Sequence, residues 1–374
     1  MKKIFFYFLL EIFVFKGYSV KINFYGKELC LDKMYFKSTV YNTNSAIQNT
    51  IDDIYVNQYK NFIKIDSFCN VNVLDDVGKL LLCKKISETF KFLESDRTLF
   101  IYTYFLKDGV DVILKYDAKG VLEVAFCSNI QFAYSNKKIS KKTYYSLGLS
   151  VINNYWFFQN KLDLNEERKL FDFKGIPEFL IDNSLRKKIF YKDLRNKLDS
   201  IIVLVDTFAL EYYKDVPKML DYNFYIKSKS SKKFVETLTS EISKKTSSMD
   251  NEQKIKLALL IIQSLPYFSL DKTGVDRFLF PEETFFYEKS DCEDRSFLLA
   301  YILTNILNIP CSIMDYKVHV NVGIKCDIFN CALFVKRIYN GNCYIIAETT
   351  NRSSLGDGKA NYLNVYRVFN LYPH

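Results

Sequence analysis

Apolar residues recur at helical spacing in the first third of the chain. The 3.6-residue period over 74–92 and again over 98–107 predicts two buried helices. Alternating and continuous apolar runs at 111–116 and 121–126 predict strands directly after them. Together these elements predict an α/β N-terminal region over residues 20–142.

The middle of the chain has a different pattern. Short runs rich in Tyr, Phe, Val and Ile alternate there with Asn, Asp and Lys turns, which is typical of short strands. The runs lie at 144–151, 188–191, 200–205 and 208–213. They predict a β-rich middle domain over 143–230, and the Ser/Lys-rich stretch 227–233 predicts its boundary with a last domain over 231–374.

The last domain begins with helical patterns at 234–244 and 252–265. Asp250, followed three residues later by Gln253, is a capping pattern for the second of these helices. Farther along, Ser290 and Glu293 form an S-x-x-E pattern, which predicts a helix with Ser290 as its N-cap and Cys292 in its first turn. The helix is expected to end near residue 307 and to pack against strands at 311–315, 318–320 and 344–350.

Composition narrows the function classes. The chain has 374 residues, of which 49% are hydrophobic, so it is long enough for a well-buried core and two or three domains. The net charge of +9 comes from lysines spread along the chain, without an arginine-rich tract or an aromatic RNA-binding motif. We interpret this basicity as promoting solubility, and we expect no nucleic-acid partner.

Cysteine and histidine usage argues against a metal site. The nine cysteines include no C-x-x-C pair, and the chain contains only two histidines. Zinc sites usually draw on closely spaced Cys and His ligands, so neither a metal nor another cofactor is expected. In an exported protein some of Cys311, Cys326, Cys331 and Cys343 would form disulfides, and buried free thiols are the alternative.

The N-terminus resembles a secretion signal. Two lysines follow Met1, and the apolar run 4–15 has the length of a signal-peptide core rather than of a membrane span. Glu11 interrupts the run, so a first buried strand or helix is the alternative. We expect a signal peptide over 1–19, export to the periplasm or cell envelope, and no membrane span in the mature chain.

The scarcity of histidine points to a Cys/His active site. His374 is the last residue, so His319 is the one candidate base within the fold. A cysteine nucleophile needs a nearby base and a positive field. A helix N-terminus and an imidazolium lower a thiol pKa from about 8.5 toward roughly 3.5–7.5, which is what we expect for Cys292. A structural thiol and a hydrogen-bonded core histidine are the alternative interpretations.

A third residue should orient the imidazole. Glu348 ends an apolar run and is expected to accept a hydrogen bond from Nδ1 of His319. Asp357, in a glycine-flanked loop, is the alternative acid. Gln263, on a preceding helix, is a candidate donor to an oxyanion, and a solvated or capping role is its alternative.

Three segments resemble the transglutaminase-like cysteine hydrolases, in particular a bacterial branch of exported proteins. They are 279–284 (LFPEET), 290–296 (SDCEDRS) and 315–320 (DYKVHV). The resemblance implies an α+β fold with a papain-like core, in which the catalytic Cys begins a helix packed on an antiparallel sheet. The family usually has Asp followed by Pro-Thr at the third catalytic position, whereas here Glu348 is followed by Thr349.

These residues predict an enzyme with a Cys292–His319–Glu348 triad. It would carry out thiol-dependent acyl transfer or amide hydrolysis on a peptide or protein substrate. The resemblance favours hydrolysis over cross-linking. The alternative is a catalytically weak or inactive scaffold that binds a peptide or a cell-envelope component.

The N-terminal region also contains a sequence pattern similar to one in the last domain, which is a candidate internal repeat. The helix–strand unit that contains 96–98 (DRT) resembles the unit that contains 294–296 (DRS). In that alignment Glu94 stands where Cys292 stands, so residues 20–142 would be a degenerate copy without the nucleophile. Chance similarity between two helix–strand units is the alternative.

Overall fold

The structure is a computed structural model with two compact units, each of mixed α+β type. The first comprises residues 1–129 and 134–173, and the second comprises 130–133 and 174–374. Residues 1–18 of the expected signal peptide, residues 269–276 and 288–289 before the predicted helix of Cys292, and His374 lie outside the described residues. The described residues are 19–36, 41, 43–117, 119–147, 155–158, 167–177, 183–268, 277–287, 290–316, 318–332, 334–357 and 365–371.

The first unit opens with an antiparallel hairpin of β1 (Ser19–Phe24) and β2 (Lys27–Asp32). Four helices follow, and the patterns at 74–92 and 98–107 predicted the last two of them. The helices are α1 (Asn44–Asn57), α2 (Tyr59–Val71), α3 (Asp76–Thr89) and α4 (Glu94–Lys107).

A five-stranded antiparallel sheet completes the first unit. Helix α4 packs on its two central strands, β3 and β4. The strand order is β5-β6-β4-β3-β7. The strands are β3 (Val112–Tyr116), β4 (Leu122–Cys127), β5 (Asn136–Ile139), β6 (Lys142–Tyr145) and β7 (Trp156–Phe157).

The second unit also begins with a hairpin, formed by β8 (Ser184–Lys192) and β9 (Leu198–Asp206). Several helices then lead to the predicted helix of Cys292, α10, which continues as a π-helical turn at Ile302–Ile306. The helices are α5 (Thr207–Asp215), α6 (Tyr222–Lys227), α7 (Lys232–Thr246), α8 (Asn251–Gln263), α9 (Pro281–Phe286) and α10 (Cys292–Tyr301).

The sheet of the second unit is antiparallel, with the order β12-β13-β11-β10-β14. Helix α10 packs on β11 and β10, and a disulfide joins Cys326 to Cys343 beside the β11–β13 pair. Cys311 and Cys331 are free thiols. The strands are β10 (Cys311–Asp315), β11 (Val320–Lys325), β12 (Lys336–Tyr339), β13 (Asn342–Ala347) and β14 (Arg367–Leu371).

The predicted middle domain over 143–230 is not a separate unit. Residues 143–173 belong to the first unit, where β6 pairs with β4 and β5, and 174–230 belong to the second. The run 208–213, predicted as a strand, lies in helix α5, because the Asp206 side chain accepts hydrogen bonds from the first amides of that helix. The stretch 227–233 is likewise internal to the second unit, where Ser231 caps α7.

The two units share one sheet topology. In chain order β3 to β7 take the same places as β10 to β14, and each sheet is preceded by the helix that packs on it. Helix α4 begins at Glu94 and helix α10 at Cys292, as the candidate internal repeat predicts.

The register extends this correspondence to the other two triad positions. Tyr116 pairs with Leu122 in the first sheet, and Asp315 pairs with Val320 in the second. Val121 and His319 directly precede Leu122 and Val320, so Val121 occupies the position in the first unit that His319 occupies in the second. The pairs Phe126–Tyr145 and Ile324–Ile345 correspond in the same way. Three residues after Tyr145 the sequence has Gly148, and three residues after Ile345 it has Glu348. Gly148 therefore corresponds to Glu348 in sequence, although it lies outside the described residues. The first unit therefore repeats the architecture with none of the three triad residues at these positions.

No helix among the described residues is long and apolar enough to cross a lipid bilayer.

We predict that Leu298→Ala destabilises the second unit by about 2–5 kcal/mol, because Leu298 is a fully buried residue of α10, the helix that packs on the sheet. Urea unfolding followed by circular dichroism measures the change. The matched control is Leu198→Ala, whose side chain in β9 is largely exposed, and which should change the free energy of unfolding by less than about 0.5 kcal/mol. Equal losses in both variants would contradict the assigned packing.

Candidate active site

Cys292 is the first residue of helix α10, so the prediction that it lies in the first turn is confirmed. The N-cap, however, is Asp291 and not Ser290. Asp291 Oδ1 accepts from the Asp294 amide at 3.2 Å, and Asp294 Oδ2 accepts from the Asp291 amide at 3.3 Å, which closes a capping box. The cap differs from the prediction because Ser290 is used elsewhere, as a hydrogen-bond partner of Arg295.

The Cys292 thiol is 8% exposed and lies among acidic groups. Its Sγ donates to Glu293 Oε2 at 2.8 Å. Burial, reinforced by the charges of Glu293 and Asp291, raises the pKa of the Cys292 thiol, although a hydrogen bond from the Val320 amide acts to lower it. The expected lowering of this pKa is therefore wrong for the conformation described, because desolvation and two carboxylates outweigh the field of the helix end.

His319 immediately precedes β11 and is 7% exposed. The amide of the next residue, Val320, donates to Cys292 Sγ, which brings the start of this strand to the thiol. The imidazole Nε2 lies 2.9 Å from Glu348 Oε2. The predicted partnership of His319 with Glu348 is thus present, but it uses Nε2 where Nδ1 was predicted.

Glu348 follows β13 and is 2% exposed. Its Oε1 accepts from both the amide (3.0 Å) and the hydroxyl (2.7 Å) of Thr350. Burial acts to raise the pKa of Glu348, but the hydrogen bonds and charge of His319 and the two bonds from Thr350 outweigh it and hold the pKa below its ordinary value. Because the carboxylate is ionised, Nε2 of His319 carries the hydrogen of their bond, and Nδ1 is the ring nitrogen that can take a proton.

A fully buried arginine connects the segments that carry the triad. Arg295, 1% exposed, donates from Nε to Ser290 Oγ at 3.1 Å and from Nη1 to the carbonyl oxygens of Thr349 (3.0 Å) and Thr350 (3.4 Å). Its Nη2 donates to the carbonyl of Leu265. The side chain therefore joins the Cys292 helix to the segment directly after Glu348 and to the end of α8.

Ser296 adds a second connection between the same elements. Its hydroxyl donates to the Val320 carbonyl at 3.1 Å and lies 3.3 Å from Thr349 Oγ1. The importance of Arg295, Ser296 and Thr350 for the site was not predicted from the sequence. The recurrence of Asp-Arg-Ser/Thr in the helix of each unit is the sequence signal that could have identified Arg295 and Ser296.

The LFPEET segment, residues 279–284, is a structural element beside the site. Glu282 is fully buried and accepts hydrogen bonds from the amides of Asp206 (2.8 Å) and Ser231 (3.0 Å). Burial raises the pKa of Glu282 to about 7 despite these bonds. The Leu279 amide donates to Asp294 Oδ1 at 2.7 Å, so this segment is joined to the first turn of α10.

Gln263 does not supply an oxyanion donor. Both hydrogens of its Nε2 are used, on the carbonyl oxygens of Glu348 (2.8 Å) and Ser353 (2.9 Å). The prediction failed because the partners of Gln263 are about ninety positions away in sequence. Asp357, the alternative acid, is exposed, and its amide donates to the Ser354 carbonyl. The structure thus favours Glu348 over Asp357 as the partner of His319.

Two aromatic residues, Tyr267 and Phe268, contact Arg295 and the backbone of Ser290, respectively. The ring of Tyr267 is half exposed and lies 5.1 Å from the Arg295 guanidinium carbon. Burial raises the pKa of Tyr267 to about 12. Phe268, whose amide donates to the Ser290 carbonyl, is also partly exposed. Tyr267 therefore places a half-exposed ring against Arg295 of the Cys292 helix.

Among the described residues, no group of three or more His, Cys, Asp and Glu side chains is arranged to hold a metal ion.

Comparison of the chain with protein-family models, with curated proteins and with solved structures gives no match.

We predict that the stabilising effect of Glu348 disappears in acid. A carboxyl whose pKa is depressed in the folded state stabilises that state above its unfolded pKa, near 4.5, and this stabilisation is lost as the pH falls through the lower folded value. Glu348→Gln should therefore be less stable than the wild type at pH 7, and the difference should shrink below about pH 4. Urea unfolding at several pH values measures it, and a difference independent of pH would contradict the assignment.

Proposed function

We propose that the second unit is a transglutaminase-like cysteine hydrolase that cleaves an amide bond through Cys292, His319 and Glu348. The observation that supports this most is the 2.9 Å contact between His319 Nε2 and Glu348, next to a strand whose first amide donates to the Cys292 thiol. The α+β architecture, with the cysteine at the start of a helix packed on an antiparallel sheet, is consistent with it.

The mechanism begins with proton transfer. Glu348 orients the imidazole by accepting from Nε2, so His319 takes the thiol proton on Nδ1. The Cys292 thiolate then attacks the carbonyl carbon of the substrate amide and forms a tetrahedral intermediate. The proton on Nδ1 passes to the leaving amine, and a thioester remains on Cys292.

The oxyanion of the tetrahedral intermediate needs hydrogen-bond donors. Because Cys292 is the first residue of α10, its own amide belongs to the helix-end N–H groups that have no partner within the helix. We assign the oxyanion contact to this backbone amide rather than to Gln263. Water then attacks the thioester, with His319 as base, and releases the acid product.

Two features concern the substrate and the compartment. The partly exposed rings of Tyr267 and Phe268 suit an extended peptide or protein substrate with apolar side chains near the scissile bond. We propose export to the periplasm or cell envelope, consistent with the lysine-led apolar N-terminus and with the Cys326–Cys343 disulfide, because disulfides persist in oxidising compartments.

A non-catalytic scaffold is the second candidate function. The raised pKa of Cys292 favours it, because a buried neutral thiol is a poor nucleophile. In that case the site would bind a peptide or an envelope component without turnover.

We predict that Cys292→Ala abolishes turnover and leaves the fold intact, because the side chain is small and the thiolate is irreplaceable. Hydrolysis of fluorescent casein and of p-nitrophenyl acetate measures the reaction, and incorporation of dansylcadaverine into casein reports cross-linking. Cys331→Ala, which removes a free thiol outside the site, is the matched control. Turnover that survives in Cys292→Ala would end the nucleophile assignment.

We also predict that Glu348→Gln lowers kcat/KM by roughly 10²–10⁴-fold, since the amide can hold the wrong imidazole tautomer. Glu348→Asp should retain activity or increase it, because it introduces the Asp that is usual at the third catalytic position of the transglutaminase-like family. Asp357→Asn is the control, with unchanged kinetics expected. A large loss in Asp357→Asn together with wild-type kinetics in Glu348→Gln would assign the third role to the loop.

A further inference from the structure

Two carboxylates lie at this site in opposite environments. Glu348 accepts three hydrogen bonds, from His319 and from two atoms of Thr350, which stabilise it as an anion. Glu293, the residue directly after the nucleophile, accepts from the Cys292 thiol at 2.8 Å. A carboxylate at that distance favours the protonated thiol, because deprotonation would place two negative charges side by side.

We propose that Glu293 holds Cys292 as a neutral thiol in the resting protein, so that the site becomes nucleophilic only when this carboxylate moves away or is neutralised. The proposal rests on the proposed function, since it concerns the regulation of the same nucleophile. It adds to that mechanism a step in which the S–H···O contact breaks before His319 can take the proton.

The surroundings of the thiol favour this resting state. On α10, Asp291 adds a second negative charge near Sγ. From the neighbouring segments, Tyr267 and Tyr222 lie within electrostatic range of Cys292. Both phenols are neutral at physiological pH, and burial raises their pKa values further. The Val320 amide donates to Sγ, and His319 precedes it in the chain, so the stabilisation of a thiolate has to come from the side of β11.

Glu293 is also placed so that it can move. Its side chain is only partly buried, whereas the neighbouring acid Asp294 is fully buried and bonded to the amides of Leu279 and Asp291. Rotation of the Glu293 side chain would therefore leave the capping box intact. A cationic group on a bound substrate would pair with the displaced carboxylate and stabilise the reactive arrangement.

The test is the pH dependence of iodoacetamide alkylation at Cys292, followed by mass spectrometry of the peptide that contains it. We expect Glu293→Gln to shift the apparent pKa of alkylation downward by at least about one unit, which is about a tenfold faster reaction at pH 7. Glu252→Gln is the matched control, because Glu252 occupies the same second position of helix α8, and it should leave the profile unchanged. Cys30, an exposed free thiol, serves as the internal reference.

An unchanged alkylation profile in both Glu293→Gln and Glu293→Ala would overturn the proposal. The alanine variant guards against misfolding of the first, and circular dichroism checks both. The same measurements distinguish failure of the hydrolase assignment from failure of the role proposed for Glu293. If Glu293→Gln accelerates alkylation but neither it nor the wild type hydrolyses casein or p-nitrophenyl acetate, then Glu293 controls the thiol and the hydrolase assignment falls. If Cys292-dependent turnover is present and the profile does not shift, the hydrolase assignment stands and the role of Glu293 falls.

Discussion

The geometry of the site depends on one buried cation. A charged guanidinium is costly to remove from water, and its burial is tolerated when its donors are satisfied. Arg295 meets this requirement with neutral oxygens, namely the hydroxyl of Ser290 and the carbonyls of Leu265, Thr349 and Thr350. These oxygens come from separate segments of the chain, so satisfying one side chain holds the Cys292 helix against the segment that follows Glu348.

The same constraint explains why two nearby carboxylates differ. Glu348 immediately precedes the carbonyls that Arg295 holds, and the backbone there turns so that the amide and hydroxyl of Thr350 reach its Oε1. Glu293 lies in the first turn of α10, and its carboxylate accepts a hydrogen bond from the Cys292 thiol. Donor placement, rather than residue type, stabilises Glu348 as an anion beside His319 and leaves Glu293 as the acceptor of the Cys292 thiol.

The first unit has the same sheet topology as the second but lacks the candidate triad residues at the corresponding positions. It keeps the strand order of the second sheet and the helix before it, and it keeps Asp96, Arg97 and Thr98 at the places of Asp294, Arg295 and Ser296. Their partners differ: Asp96 accepts from the Tyr41 hydroxyl at 2.5 Å, and Thr98 donates to the Glu94 carbonyl of its own helix. The retained residues belong to the helix–sheet framework, whereas the positions of Cys292 and His319 hold Glu94 and Val121. The framework therefore forms without a triad.

The sequence by itself indicated most of the helices and strands that flank the site and the identity of the candidate triad. Asp250 and Gln253 form the capping box that their spacing predicts, and Cys292 begins a helix that Asp291 and Asp294 close with a second capping box. The scarcity of histidine was enough to select His319, and the acid at the end of the apolar run was enough to select Glu348.

Only the tertiary structure decided which nitrogen of His319 contacts Glu348 and which residue caps α10. It also showed that the Gln263 side-chain amide donates to two carbonyls and that residues 143–230 are divided between two units. Each of these depends on partners far away in sequence, and no local pattern encodes which of several nearby donors and acceptors the folded chain brings together.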